Sequence, residues 1–475
     1  MQSPDEGGAR RLLDLLATVL WFPLMALILI PAAVLSGLRL AWVAVADIAE
    51  RWRPGWGLPA SPRRPRITPV TAERLTLKGM LVPRGLWEND PECLAFSPDS
   101  ALVAAGGADK MVTVWDLRTG RRVAKLRRRR IFRENSWATN VISGVEPPAV
   151  RRVEFAGLRN LIAQIGDGTV TVWDLPTGRE RYTLRGKFTD AQGGPAGVLV
   201  DTGEHGPLAE LPRHAALAAA ASPTGEVLLV TPARPAGFEF ELRETGTGRP
   251  LRASDGGGGL GLPRGVMYEA ASALFSPDGA RFAVPVGNTT ESRVEVRRAD
   301  REGGAVYLPA VWPVAFSPDG GSLAAVVGTG IRVWNAATGR EQWRSREDLG
   351  YARDVCFSPS GDILVAETGR GDGSLGLVRM WEAATGRELG LLASSESGPV
   401  VSMAFSPDGR LLAVARYWSL EVWETGAARL LFRYAHPSRD LVFVPAHGQC
   451  AFSPDGTVIG LTTLQGLSIW HVPAN

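Results

Sequence analysis

The chain is poor in the residues that most often carry chemistry. Of its 475 residues, three are cysteine and five are histidine. Cys93, Cys356 and Cys450 form no Cys-x-x-Cys pair, and their odd number cannot make a complete disulfide framework. Each lies just before a Phe-Ser-Pro turn, which reads as a small buried hydrophobe in an inner strand. Free thiols of this kind fit a reducing compartment. No two of His205, His214, His436, His447 and His471 stand at metal-ligand spacing, so no metal site is expected. The chain has no Gly-x-Ser-x-Gly elbow. Its glycine-rich stretch at 256–261 is not followed by Gly-Lys-Ser/Thr, so it reads as a flexible loop and not a phosphate cradle. No catalytic residue and no cofactor is therefore assigned. Charge of one sign is also lacking. The net charge of +3 gives no electrostatic footprint for nucleic acid.

What the chain does contain is repetition. Residues 112–126 read Val-Thr-Val-Trp-Asp-Leu-Arg-Thr-Gly-Arg-Arg-Val-Ala-Lys-Leu, a strand, a glycine turn and a second strand. Residues 170–184 repeat the pattern, and it returns around Trp334, Trp381, Trp423 and Trp470. A second signature precedes it at Phe96-Ser97-Pro98-Asp99, Phe275-Ser276-Pro277-Asp278-Gly279, Phe316-Ser317-Pro318-Asp319-Gly320, Phe357-Ser358-Pro359-Ser360-Gly361, Phe405-Ser406-Pro407-Asp408-Gly409 and Phe452-Ser453-Pro454-Asp455-Gly456. Self-similarity at about 40 residues marks a repeat array. Eight units are located by Trp115, Trp173, Arg243, Arg297, Trp334, Trp381, Trp423 and Trp470, with seven as the alternative count. Units three and four have lost the tryptophan and show arginine there, while keeping their turns at Ser222-Pro223-Thr224-Gly225 and Ser276-Pro277-Asp278-Gly279.

Each turn has a mechanism. Proline presets φ, aspartate bonds its own backbone, and glycine accepts the left-handed conformation. That explains Asp99, Asp278, Asp319, Asp408 and Asp455 without a carboxylate site. The phenylalanines occupy one position of an alternating strand and should fill the gaps between neighbouring sheets.

These motifs resemble WD-repeat β-propellers, in the form common in bacterial proteins, over residues 70–475. The resemblance implies an all-β fold, a closed ring of four-stranded blades around a central channel, and a protein-interaction scaffold. One departure is clear. The chain has no Gly-His dipeptide, and the aspartate of the tight turn before the tryptophan strand appears only as Asp109 and Asp167. Apolar packing between blades must then carry more of the stability. The segment 73–79 (Glu-Arg-Leu-Thr-Leu-Lys-Gly) matches 180–186, the end of a repeat, although no repeat precedes it; the last repeat lacks that element. The N-terminal strand is thus expected to complete the final sheet and remove its open edge.

Ahead of the array, residues 1–52 read as a tail and membrane anchor. Residues 15–38 carry no charge, enough for a transmembrane helix of about 20 apolar residues. A signal peptide is the rival reading, although its apolar core usually runs only about 7–15 residues. One pass or two is left open by the second apolar patch at 41–45. Residues 53–69, rich in proline and arginine, read as a linker. More arginine follows the apolar run than precedes it, which places the ring in the cytoplasm.

The candidate binding surface lies where repeat spacing breaks. Surplus residues at 127–149, 187–215 and 252–269 all join one blade to the next, so all are expected on one face. The first holds Arg127, Arg128, Arg129, Arg130, Phe132, Arg133 and Trp137. Basic residues beside aromatics suit an acidic protein partner or an anionic lipid surface. They suit single-stranded nucleic acid too, but the near-neutral net charge weighs against that partner. A solvated charge run is the plain alternative. No small-molecule substrate is indicated. The rival function is an enzyme of hydrolase type, with a site assembled from several blades in the central channel. Clustered acids with a histidine there would favour it.

Overall fold

The computed structural model describes residues 64–81, 91–107, 111–127, 149–166, 168–187, 197–201, 217–232, 240–253, 273–287, 292–300, 304–345, 349, 352–369, 376–392, 398–435, 444, 448–464 and 466–473. The expected anchor at 15–38, the turn residues Asp109 and Asp167, and the glycine-rich 256–261 lie outside them. Among the described residues, no helix is long and apolar enough to cross a membrane.

The described chain is an all-β propeller of eight antiparallel sheets, which settles the count in favour of eight. Blade 1 is Pro91–Phe96, Leu102–Gly107, Met111–Asp116 and Arg122–Arg127. Blade 2 begins with Val150–Ala156, Asn160–Ile165, Val170–Asp174 and Arg179–Lys187. Blade 3 is Leu217–Ala221, Val227–Pro232, Glu241–Glu244 and Pro250–Ala253, and blade 4 is Leu274–Phe275, Arg281–Gly287, Ser292–Arg298 and Val306–Leu308. Blades 5, 6 and 7 repeat the order, starting at Val311–Phe316, Ala352–Phe357 and Val400–Phe405. Blade 8 holds Cys450–Phe452, Val458–Thr463 and Gly466–His471, and its fourth strand is Thr76–Met80.

That last strand pairs antiparallel with Gly466–His471, Thr76 opposite His471 and Leu77 opposite Trp470. It starts later than the sequence match implies, because Ala72–Arg74 forms a 3-10 turn. The linker reading also needs correction at its end. Ile67 and Ala72 are buried in the core between blades 7 and 8, and Ile67 N–H donates to Gly456 O at 2.9 Å. Residues 64–69 therefore pack onto the ring, because Ile67 supplies an apolar group where the proline-rich stretch ends.

Blade 2 has a fifth strand. Gly197–Asp201 pairs with Arg179–Lys187, so part of the second insertion turns back along the sheet edge. The reason is local: Val198-Leu199-Val200 is an apolar, strand-forming run beside an unpaired edge.

The core falls into eight apolar clusters, one at each junction between neighbouring blades, including blade 8 with blade 1. Phe96, Phe155, Phe275, Phe316, Phe357, Phe405 and Phe452 each enter one. Trp115, Trp173, Trp334, Trp381, Trp423 and Trp470 join them from the third strands. Close approach at the closing junction needs Gly460, where a Cβ would lie 3.0 Å from the ring of Phe96.

The turns behave as read. Asp99, Asp278, Asp319, Asp408 and Asp455 each accept a serine hydroxyl and a backbone N–H two residues on. Blade 1 alone has serine at the glycine position. Ser100 holds φ 57°, and its hydroxyl accepts Asp455 N–H at 3.0 Å across the closing junction.

Candidate functional site

Antiparallel order puts the Ser-Pro-Asp-Gly turns and the third-to-fourth strand turns on one face. The fourth strands end on the other, where the insertions begin. Of the candidate basic cluster, Arg127 ends the fourth strand of blade 1, its backbone opposite Met111. Arg128, Arg129, Arg130, Phe132, Arg133 and Trp137 lie outside the described residues. The bases just before them belong to the sheet. Leu126 is buried while Lys125 is exposed, the alternation of an outer strand with one wet face.

At most junctions the first strands of neighbouring blades touch one another, and they form the inner wall. Their charges are paired. Arg151 lies 3.1 Å from Glu92, and Arg152 lies 3.5 Å from Glu154. Arg152 also donates to Ala273 O of blade 4 at 3.4 Å, and Glu154 accepts Ala221 N–H of blade 3 at 3.3 Å. Gln449 accepts Leu94 N–H at 3.1 Å, and Ser402 accepts Cys450 N–H at 3.2 Å. These side chains satisfy inner-edge backbone groups of another blade. Half-buried Asp354 stands apart: desolvation lifts its carboxyl to about 6. The buried thiols are inert, because desolvation pushes Cys93 to about 12 and Cys450 to about 11. Among the described residues, no group of three or more His, Cys, Asp or Glu could hold a metal ion.

Blades 3 and 4 replace the indole with an ion pair. Residues two apart in a strand share a face, and in blades 7 and 8 the residue two before the tryptophan serves the indole: Glu421 accepts Trp423 N–H and Ser468 accepts Trp470 N–H, both at 3.1 Å. In blade 3 Glu241 accepts Arg243 Nε–H at 2.9 Å, and Arg243 also donates to Gly248 O at 2.7 Å. In blade 4 Glu295 pairs with Arg297. The arginines are compensated substitutions; the signal was a glutamate two residues earlier, which sequence reasoning passed over.

Without an indole, the junction between blades 3 and 4 is rebuilt around Phe240. Its ring meets Phe282 edge-on at 4.9 Å, with the guanidinium carbons of Arg252 and Arg297 at 5.6 and 5.3 Å from its centroid. Beside this junction a groove of about 540 Å³ opens on the turn face. Val227, Leu242, Phe275 and Ala299 line it with Leu251, and Ser222, Thr224, Asp278 and Asp300 supply its polar groups. Arg298 holds Asp300 through two hydrogen bonds, at 2.8 and 2.6 Å. No signal in one repeat could have found this groove, since two blades make it.

A family description, "WD domain, G-beta repeat", matches residues 88–116 and 386–424. Two stretches of the chain thus match the WD40 repeat. Those stretches hold the tryptophan strands of blades 1 and 7 and the fourth strand of blade 6. The propeller as a whole resembles solved structures. One is the C-terminal WD40 domain of Sif2, at 13% identity and TM-score 0.57, over 84% of this chain and 99% of that one. Another is the computationally designed Ika8 protein, at 18% identity and TM-score 0.54, over 83% and 99%. These likenesses concern the fold. No curated protein matches the chain. WD40 propellers are usually non-catalytic scaffolds that bind proteins.

Proposed function

We propose that this WD40 propeller, of bacterial type, is a membrane-tethered scaffold that assembles protein partners. The ring is the observation that carries the scaffold reading: among the described residues of its inner wall, Glu92, Arg151, Arg152 and Glu154 are paired with one another or spent on backbone groups, and Cys93 and Cys450 are buried. The alternative, a hydrolase-type site in the channel, would draw on Asp354. No histidine among the described residues of the inner strands accompanies it.

The uncharged run at 15–38 is the proposed anchor, and the arginines after it put the ring on the cytoplasmic side. Arg127, Arg128, Arg129, Arg130, Phe132, Arg133 and Trp137 are the proposed contact for an acidic protein partner, with anionic lipid as a second contact. Protease added to sealed cells that express the full chain should leave the ring intact, and digestion there would reverse the orientation. Replacing 127–130 with serine should weaken capture of co-purifying partners, more at low salt than at high salt. Unchanged capture at low salt would remove the basic loop from the site.

A further inference from the structure

We propose that the groove between blades 3 and 4 is a second protein-binding site, on the face opposite the one where the fourth strand of blade 1 ends. Its occupant is an extended peptide segment that inserts one large aliphatic or aromatic side chain beside a lysine or arginine. The proposal rests on the scaffold reading but not on the membrane tether.

Shape and lining decide the inserted residue. The groove has about 540 Å³, and its floor is Val227, Leu242, Phe275 and Ala299. Leu251 continues that floor outward and is 49% exposed. Burying a leucine- or phenylalanine-sized group there removes apolar surface on both partners from water. The strand bearing Leu251, Pro250–Ala253, is the edge of its sheet among the described residues, so an extended segment can lie along it.

Charge decides the neighbouring residue. Arg252 is engaged with the Phe240 ring and donates to Arg298 O at 3.1 Å. Asp300 is held bidentate by Arg298. Asp278 is exposed and uses Oδ1 for Ser276 and Ala280. Its Oδ2 receives no hydrogen bond among the described residues and can take a cationic side chain at the groove mouth.

The test uses the full chain in detergent and a displayed library of random dodecapeptides. The expected consensus is a large apolar residue with a lysine or arginine within two positions. A synthetic peptide of that consensus should bind about tenfold or more weakly to Leu251→Glu and to Ala299→Trp, which fills the groove. Asp278→Asn keeps the turn chemistry, and should keep the apolar preference while losing the basic one. The variant with serine at 127–130 should bind the peptide as the parent does. The proposal is overturned by a library that yields no consensus, or by a peptide that both groove variants bind like the parent. It is overturned too if only the 127–130 variant loses the peptide, which would assign binding to the basic loop.

Discussion

Arg243 and Arg297 occupy sites where six other blades bury an indole, yet the ring closes around them. An arginine there is tolerated only because Glu241 and Glu295 stand two residues earlier, on the same strand face. Arg243→Ala should therefore cost about 3–5 kcal/mol, since it strands a buried carboxylate. The double change Glu241→Ser with Arg243→Trp copies the Ser468-x-Trp470 arrangement of blade 8, where the serine accepts the indole N–H. It should stay within about 1–2 kcal/mol of the parent in denaturant unfolding. Asp354 gives a second residue-scale outcome. Its folded carboxyl is raised from the ordinary 3.8 to about 6 by desolvation. The folded state thus keeps the proton longer than the unfolded one. That contribution is full below about pH 4 and is lost as pH rises through about 6. Asp354→Asn should gain on the parent in melting temperature between pH 4 and 7, and a constant gap would contradict the assignment. The turn aspartates were legible in the sequence because their chemistry is local. The ion pairs were not, because a family pattern that expects tryptophan reads arginine as decay.

At the scale of the element, the N-terminal segment does more than contribute a strand. Arg64 is almost fully buried where blade 8 meets blade 1, 3.4 Å from Ser100 O and 4.0 Å from Asp455. Ile67 lies in the apolar core three residues on. Ile67→Ala should cost about 2–5 kcal/mol. Arg64→Ala should lower stability by about 1–3 kcal/mol through the lost bond to Ser100 and the buried carbonyl it leaves. If thermal unfolding finds both variants equal to the parent, residues 64–67 are a passive linker after all. The strand 76–80 was legible from its match to 180–186, because a repeat missing one element and an orphan copy of that element point to each other. The packing of 64–67 was not, because proline-rich composition describes the stretch on average and says nothing of one isoleucine at its end.

For the whole molecule, fold and site differ in how far sequence carries. The number of blades and the direction of packing follow from a unit repeated eight times, where each copy corrects the reading of the others. The groove between blades 3 and 4 belongs to two units at once, and no single copy encodes it. The ring is closed by chain segments far apart in sequence, Thr76 paired with His471 and Gly460 against Phe96. The most direct measurement compares a chain that starts at residue 64 with one that starts at residue 82, by thermal unfolding and amide hydrogen exchange. The first should fold with residues 466–471 protected. In the second, Gly466–His471 becomes an open edge, its amides exchange rapidly and the ring melts at lower temperature. Equal melting temperatures with equal protection of 466–471 would contradict closure by the N-terminal strand.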